Sequence, residues 1–305
     1  MRSRSLTPLT PDASRLTDPG TLYLVATPIG NLEDMTFRAL RILREVDLVA
    51  AEDTRHSRKL FSHFGIATPL TSYFEHNEAQ KGERLLDQLR AGKSVALISD
   101  AGTPAISDPG FLLVRRCRDE GIPVLAVPGP SAAVAALAVS GLPTERFAFE
   151  GFLPARSKAR REALQQLWAE PRTTIFYEAP HRLLATLRDI CEEMGAEREV
   201  AVARELTKLH EELFRGTAAA AVEHFGAGRV RGEIVLLVAP AAAGGAEPAA
   251  SVRSVEESLR KLRDEGLPLR QAVKQVAKEF GLPGDEVYRR ALAMKDEDRR
   301  QKAED

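Results

Sequence analysis

Between Thr21 and Gly141 the chain alternates five times between a short apolar run and a segment of helical periodicity. The apolar runs are TLYLVATP, DLVAAED, TPLTSYF, SVALISD and IPVLAVPGP. The first intervening segment, MTFRALRILREV, has apolar residues at helical spacing from Met35 through Leu43. Short apolar runs that alternate with helices form parallel sheets with helices packed on their faces. The sequence therefore predicts an α/β domain over residues 21–140.

A second region of strand-like and helix-like segments follows over residues 141–240. Its predicted strands are ERFAFEGFL, TTIFYEA, EVAVAREL, EELFRG and GEIVLLVA. Several of these follow one another closely, so we expect a mixed sheet in a second α/β domain. We also expect a disordered N-terminus at 1–20, a small-residue linker at 241–251 and a C-terminal helical unit at 252–305.

Charge and cysteine content exclude several classes of protein. The 43 Lys and Arg residues nearly balance the 44 Asp and Glu residues, so the whole chain lacks the basic signature of a nucleic-acid binder. Cys117 and Cys191 both lie in helix-like segments, which indicates buried thiols in a reducing compartment. No apolar run reaches the ~18 residues of a membrane span, and the N-terminus has no apolar signal core. We therefore expect a cytoplasmic protein.

Three of the predicted strands of the first domain end in loops rich in Gly, Pro and small polar residues. These loops are ATPIGN (26–31), SDAGTPAISDPG (99–110) and VPGPSA (127–132). In an open parallel sheet, ligands bind outside the carboxyl ends of the strands, and glycine lets the backbone approach a ligand closely. Ser131 is expected to open a helix whose free N–H groups can face an anion. The loops predict a rigid small-molecule site, although glycine and proline also occur in βα loops for turn geometry alone.

Other familiar binding motifs are absent. The fingerprint G-x-G-x-x-G does not follow the first strand, which argues against a nicotinamide dinucleotide. The stretch AGKS at 91–94 resembles the end of a P-loop, but Asp87 stands at the position of its first glycine and a strand follows it. The histidines and cysteines show no metal-ligand spacing, so we expect no metal.

Three long blocks resemble the motifs of the tetrapyrrole methylase superfamily. They are LYLVATPIGNLEDMTFRALRILREVDLVAAEDTR, SDAGTPAISDPG and VPGPSAAVAALAVSGL. The blocks AEDTRHSRKLF, SYFEHNE, FYEAPHR and ARELTKLHEE are similar to one branch, whose members methylate the ribose 2′-hydroxyl of one cytidine in 16S rRNA. The resemblance covers roughly Thr21 to Ala239. It implies two α/β domains with S-adenosyl-L-methionine in the cleft between them, a homodimer, and a substrate in the small ribosomal subunit.

The resemblance also implies which residues bind the cofactor. They come from the three loops and from the strand end FYEA, and they are Pro28, Ile29, Asp100, Ala101, Gly102, Thr103, Ile106, Ser131, Ala132, Tyr177 and Ala179. Many members have Gly-Asp-Pro where this chain has Gly102-Thr103-Pro104, so the role of that Asp is open and Asp100 is a candidate for it. Asp108 precedes Pro109, and we expect it to cap the following helix.

Four residues are candidates for catalysis, because a ribose hydroxyl is a poor nucleophile that a base or a nearby cation would activate. They are Glu178, Asp53, Arg55 and Lys208, which lie in the clusters FYEAPHR, AEDTR and ARELTKLHEE. The same clusters are equally typical of salt-bridge networks that line a polar cleft.

Local basic clusters suggest contact with RNA phosphates. The candidates are Arg156, Lys158, Arg160 and Arg161 in PARSKARRE, and Arg58 in TRHSRK. A solvent-exposed helix face would have the same pattern. The segment VAKEFGLPGDEVYRRAL has the spacing of a helix-turn-helix. Two other functions therefore stay open: methylation of a tetrapyrrole or other small acceptor, and a DNA-binding regulator that senses a small ligand.

Overall fold

The structure, a computed structural model, describes residues 20–74, 76, 78–241, 255–264, 267–280, 282–292 and 294. The predicted disordered N-terminus (1–20) and linker (241–251) lie outside these residues except for Gly20 and Ala241. The limits proposed for the domains stay predictions.

The first sheet contains five parallel strands in the order β3-β2-β4-β1-β5. The strands are β1 (Leu22–Val25), β2 (Leu48–Ala51), β3 (Leu70–Ser72), β4 (Val95–Ile98) and β5 (Val124–Val127). The helices between and after them are α1 (Phe37–Glu45), α2 (Thr54–Phe64), α3 (Glu78–Arg90), α4 (Phe111–Asp119) and α5 (Ala132–Val139). The predicted alternation is confirmed, and all five strands direct their carboxyl ends to one edge of the sheet.

The three central strands β2, β4 and β1 are covered on both faces, which explains why they are almost continuously apolar. On one face Val25, Ile98 and neighbouring strand residues pack against α1 and α2. On the other face Leu22 and Leu97 pack against α3 and α4, where the Cys117 thiol is fully buried.

Local sequence signals set the ends of the helices. At the start of α1, the hydroxyl of the N-cap residue Thr36 accepts from the Ala39 N–H at 3.1 Å. Gly65, with a left-handed φ of 62°, ends α2 as predicted.

The second sheet is mixed, as predicted, in the order β6-β7-β10-β8-β9. Its strands are β6 (Phe147–Phe152), β7 (Thr173–Glu178), β8 (Glu199–Arg204), β9 (Glu212–Thr217) and β10 (Ile234–Val238). Only the β6–β7 pair is parallel, and the other pairs are antiparallel. The helices α6 (Ser157–Gln166), α7 (Leu183–Met194) and α8 (Ala218–Gly226) cover one face.

The helix α5 joins the two domains. Ala133, Ala136 and Leu137 of α5 are buried in one cluster with Ile175 and Val235 of the second sheet. The helix consists of alanine, valine and leucine on all sides, and small side chains let it lie close to the sheet. Because α5 follows β5 of the first sheet in the chain and packs on the second sheet, it links the two domains, while Val134 and Val139 of the helix stay exposed.

The C-terminal unit is helical, as predicted. Helices α9 (Val255–Asp264) and α10 (Leu269–Phe280) are followed by a helical stretch at 284–292. Leu259, Val276 and Val287 are fully buried and form a small core of their own. Gly281, the glycine of the predicted turn, lies outside the described residues. None of the helices that the structure describes is long and apolar enough to span a bilayer.

Candidate functional site

The three glycine-containing loops of the first domain are hydrogen-bonded to one another. Thr27 and Gly102 exchange both backbone bonds, at 2.9 and 3.0 Å. The Thr27 hydroxyl donates to the Ser99 carbonyl at 3.1 Å, and the Thr103 hydroxyl donates to the Pro130 carbonyl at 3.3 Å. These bonds hold the loops together at the carboxyl edge of the sheet, which is the position predicted for ligand binding.

A cavity of about 410 Å³ lies between these loops and the second sheet. The first domain contributes Ile29, Glu52, Asp100, Ala101, Gly102, Thr103, Ile106, Ser107, Asp108, Ser131 and Ala132 to its lining. The second domain contributes Phe152, Tyr177, Glu178, Ala179, Pro180, Ala203, Leu206, Gly232, Glu233, Ile234 and Val235. Ten of the eleven residues implied as cofactor contacts thus lie together on its walls, and the eleventh, Pro28, is half-buried beside them. The size is that of a site for a small molecule.

Two segments that line the cavity have strained backbones. Ala105 and Ser107 have φ of 69° and 60°, and Glu205 and Thr207 on the opposite wall have φ of 53° and 66°. Side chains with a Cβ rarely adopt this left-handed region, and such residues concentrate at binding sites. The surrounding contacts keep both backbone segments in this conformation without a ligand, so the cavity walls are already formed.

The N-terminus of α5 faces the cavity. Ser131 is its N-cap, and its side chain makes no capping bond, so the first N–H groups are not satisfied by that hydroxyl. Burial raises the pKa of the Tyr177 hydroxyl, against the opposing effect of the nearby Ala133 backbone N–H. The N–H groups of Ser131 and Ala132, two residues that line the cavity, are suited to a carboxylate.

Three carboxylates, those of Glu52, Asp100 and Asp108, lie on the first-domain wall. The Asp100 carboxylate accepts from the Asp53 N–H at 3.1 Å, and that of Glu52 accepts from the Asp100 N–H at 3.4 Å. Within the described part of the chain, no lysine or arginine forms an ion pair with any of the three. Burial and the neighbouring carboxylates raise the pKa of Glu52.

The prediction that Asp108 caps α4 is wrong. The helix begins two residues later, with Gly110 at the N-cap and no side-chain capping bond. Gly110 has φ of 140°, and an added Cβ would lie 2.7 Å from Leu97 Cδ2. Asp108 instead turns into the cavity, where burial and then the charge of Glu52 raise its pKa to about 6, against an opposing hydrogen bond with Ser99.

This raised pKa predicts how Asp108→Asn changes stability with pH. A folded-state pKa above the unfolded value means that the carboxyl contributes stability below about pH 4, and that this stability is lost as the pH rises through about 6. At pH 8 the neutral variant should be more stable by about 1 kcal/mol, less than the ~3 kcal/mol of the full shift because residual exposure screens the charge.

Urea unfolding between pH 4 and pH 8 measures this effect. The advantage of the variant should shrink from pH 7 to pH 5 and vanish near pH 4. Asp119→Asn removes an exposed carboxylate away from the cavity and should show no such trend. A gain that does not depend on pH would mean that Asp108 titrates like an exposed aspartate.

Glu178, one of the four catalytic candidates, lies on the cavity wall but its carboxylate is already bound. It is 3% exposed, and it accepts from the Ala179 N–H at 2.8 Å and from the Thr186 hydroxyl at 2.6 Å. The Arg182 guanidinium lies 3.2 Å away. These contacts leave Glu178 little capacity to act on a substrate and favour a positioning role.

The other catalytic candidates lie outside the lining of the cavity. Asp53 caps α2, and its carboxylate accepts from the Arg55 N–H and guanidinium at 2.8 Å. Bonds to Arg55 lower the pKa of Asp53 to about 2, so it is a poor base. Lys208 Nζ lies 2.8 Å from Glu205 Oε1 and 3.1 Å from Glu233 Oε2. Its neighbours Leu206 and Glu233 do reach the cavity.

The basic candidates divide into exposed and buried groups. Arg156, Lys158 and Arg58 are exposed. Arg161 pairs with Glu192 at 2.6 Å and with Glu193. The prediction that Arg160 contacts RNA phosphates is wrong. Arg160 is 5% exposed, and its guanidinium lies 2.7 Å from the Asp189 carboxylate. A buried ion pair cannot reach a phosphate, so Arg160 is removed from the RNA-binding candidates.

Comparisons with known proteins agree with this architecture. A family model described as Tetrapyrrole (Corrin/Porphyrin) Methylases matches residues 21–222, and one described as RsmI C-terminal HTH domain matches residues 249–295. Proteins called "Ribosomal RNA small subunit methyltransferase I" are similar over most of the chain. The one from Synechocystis sp. is 50% identical, over 90% of this chain and 98% of its own length. The one from Pseudomonas aeruginosa is 51% identical, over 90% and 97%.

Solved structures share the fold at lower identity. The uroporphyrin-III-C-methyltransferase from Thermus thermophilus is 23% identical, with a TM-score of 0.51, and the match covers 82% of this chain and 99% of that one. Diphthine synthase is 14% identical, with a TM-score of 0.57, and the match covers 72% and 89%. Likeness at this level supports the arrangement of two sheets and says nothing of the substrate.

Proposed function

Because the chain belongs to the tetrapyrrole methylase family, and within it to the ribosomal RNA small subunit methyltransferases I, we propose that it methylates a ribose 2′-hydroxyl of a cytidine in 16S rRNA. The methyl donor is S-adenosyl-L-methionine. The observation that carries the proposal is the identity of about 50% over 90% of the chain, which spans both sheets and the C-terminal unit. We further propose a cytoplasmic location and domain limits of 21–140, 141–240 and 252–305.

The residues of the cavity fit S-adenosyl-L-methionine. The carboxylates of Glu52 and Asp100 are acceptors for hydroxyl and ammonium groups, and the N–H groups at the start of α5 are donors for a carboxylate. Ile29 and Val235 supply apolar surface for an aromatic base. When bound, this cofactor supplies a methyl group activated by a positive sulfur.

The remaining chemistry belongs to the chain. Methyl transfer needs the acceptor oxygen held in line at near contact distance, and such positioning alone can supply several kcal/mol. The bonded, strained loops provide fixed walls for that purpose. Asp108 is our candidate for the proton acceptor at its carboxylate oxygens, because it lies in the cavity and its pKa of about 6 is close to neutrality.

Methylation of a tetrapyrrole or other small acceptor is the second candidate. The solved structures with that fold support it only at 23% identity or less. The exposed cations Arg156 and Lys158, which follow the cavity-lining Phe152 in the chain, and the C-terminal unit favour an RNA acceptor, since a small acceptor requires neither. A DNA-binding regulator has only the helix-turn-helix match in its favour.

Methyl transfer to small ribosomal subunits is the direct test. The purified protein is incubated with methyl-labelled S-adenosyl-L-methionine and, separately, with subunits that lack their own modification, with naked 16S rRNA and with a tetrapyrrole precursor. We expect label at one ribose, located by resistance of the adjacent phosphodiester to alkali. Cofactor binding without label in any RNA would refute the proposal, and label in the tetrapyrrole would establish the second candidate.

We also propose that the protein is a homodimer. Apolar side chains on β5 and α5 are exposed, with Leu125 45%, Val134 55% and Val139 53% accessible, and exposed apolar patches are typical of protein interfaces. Light scattering of the purified protein measures its mass, and a mass of one chain over micromolar concentrations would refute the dimer.

A further inference from the structure

Phe152, the last residue of β6, is an aromatic residue of the cavity wall that is also exposed. Its side chain is 56% accessible and borders the cavity together with Tyr177. The two rings meet edge to face, with centroids 5.7 Å apart, and Phe149 packs on Tyr177 at 4.9 Å. Phe152 is therefore supported on one side by Tyr177, and more than half of the residue stays accessible to a ligand.

A β-bulge gives Phe152 this direction. The register along the parallel β6–β7 pair runs Phe149 with Ile175, then Gly151 with Phe176 and Phe152 with Tyr177, so Glu150 is the extra residue. Side chains alternate faces along a strand, and without the bulge Phe152 would point away from the face of Phe149 and Tyr177. Bulges near active sites commonly re-aim one side chain.

The bulge also contacts the first domain. Gly151 has φ of 66°, and a Cβ added there would lie 3.3 Å from the Ser107 hydroxyl. Ser107 belongs to the strained loop that forms the opposite wall of the cavity. The bulge that orients Phe152 thus lies directly beside the first-domain wall of the cavity.

The chain that follows Phe152 is held by Arg182. Its guanidinium donates to the Leu153 carbonyl at 2.6 Å and to the Pro154 carbonyl at 3.2 Å. The buried Glu178 carboxylate lies 3.2 Å from the same guanidinium. Beyond this support, Arg156 and Lys158 are exposed, and the only ion pair of Lys158 within the described residues is a long one, 3.9 Å from Glu162.

From this arrangement we propose that the base of the target nucleotide stacks on Phe152 at the mouth of the cavity, while Arg156 and Lys158 bind the phosphates beside it. Single-stranded RNA is generally bound by stacking unpaired bases on aromatic rings and by cations along the backbone. A stacked base also fixes the position of the ribose attached to it, and the acceptor 2′-hydroxyl belongs to that ribose. The inference rests on the proposed function and adds to it the element that binds the acceptor.

Steady-state kinetics of Phe152→Ala on small subunits tests the inference. Loss of one stacked base should raise the KM for subunits about 10- to 100-fold, with the Kd for S-adenosyl-L-methionine unchanged within about twofold. Phe152→Trp keeps a stacking surface and should recover most of the affinity. Phe147→Ala removes an aromatic ring of 44% exposure from the start of the same strand, outside the cavity lining, and serves as the matched control.

The phosphate contacts have a separate readout. For the double variant Arg156→Gln/Lys158→Gln, the slope of log affinity for RNA against log salt should fall by about 1.4, since each phosphate contact to a single strand contributes about 0.7. An unchanged slope would remove these two residues from the proposal.

Each contrary result has a distinct meaning. If Phe152→Ala leaves the KM for subunits unchanged, the stacking role is refuted. If it weakens cofactor binding by the same factor, the ring contacts the cofactor and the inference fails. If the unaltered protein methylates no RNA at all, the proposed function fails first, independently of Phe152.

Discussion

Replacing Gly30 with valine is expected to lower the affinity for S-adenosyl-L-methionine about 100-fold. A Cβ at this position would lie 2.5 Å from Lys208 Cγ, 2.8 Å from Thr207 Oγ1 and 3.0 Å from the Leu206 carbonyl oxygen. Extra carbon atoms at a tight contact typically cost about 1–3 kcal/mol, and the upper part of that range corresponds to about 100-fold in affinity. Ile29 precedes Gly30, Leu206 is one of the residues that the new side chain would meet, and both line the cavity. A displacement at Gly30 should therefore change the shape of the cavity and weaken cofactor binding.

Isothermal titration calorimetry with the cofactor measures the change. Gly228→Val is the matched control, since a Cβ added at Gly228 meets no atom within 4 Å. Circular dichroism should show both variants folded. If the affinity of Gly30→Val stays within twofold of that of the unaltered protein, the prediction is wrong, and close contact between Gly30 and the segment 206–208 is not needed for cofactor binding.

Replacing Arg160 with alanine is expected to lower the free energy of unfolding by about 3–5 kcal/mol. Its guanidinium makes two 2.7 Å contacts with Asp189, from Nε and from Nη2, and the two residues are 5% and 7% exposed. Removal of one partner leaves a buried charge without compensation, which is far more costly than loss of an exposed pair. Urea denaturation followed by circular dichroism gives the value.

Two further variants make this result specific. Lys158→Ala disrupts an exposed pair on the same helix and should change stability by no more than about 0.5 kcal/mol. Arg160→Met combined with Asp189→Leu removes both charges and should regain most of the loss. If Arg160→Ala weakened RNA binding and left stability unchanged, Arg160 would be a surface residue after all.

The sequence predicted most of the fold because both sheets follow simple local rules. Parallel strands buried on two faces are short and continuously apolar, so β1 and β4 stand out between helical segments. The glycine loops could be placed at the site for the same reason, since the carboxyl ends of parallel strands share one edge. The second-domain wall was only partly predicted: Tyr177 and Ala179 came from the family resemblance.

The remaining features depend on partners distant in the sequence. The basic run around Arg160 has the pattern of an exposed helix face, and its carboxylate partner lies 29 residues away. The Asp-Pro-Gly sequence at Asp108 has the local chemistry of a helix start, but in the structure the N-cap is Gly110 and the helix begins at Phe111. Leu206 and Gly232 reach the cavity only because β8 and β10 pair. The bulge beside Phe152 likewise appears only in the strand register.

The four left-handed residues around the cavity have a consequence for the evolution of the protein. Each of Ala105, Ser107, Glu205 and Thr207 lowers stability by about 1 kcal/mol or more relative to a relaxed backbone. Glycine at any of these positions would remove that strain in the folded state. It would also allow the loop to adopt several conformations, because glycine restricts the backbone least. Selection for heat resistance and selection for turnover therefore act in opposite directions at these positions.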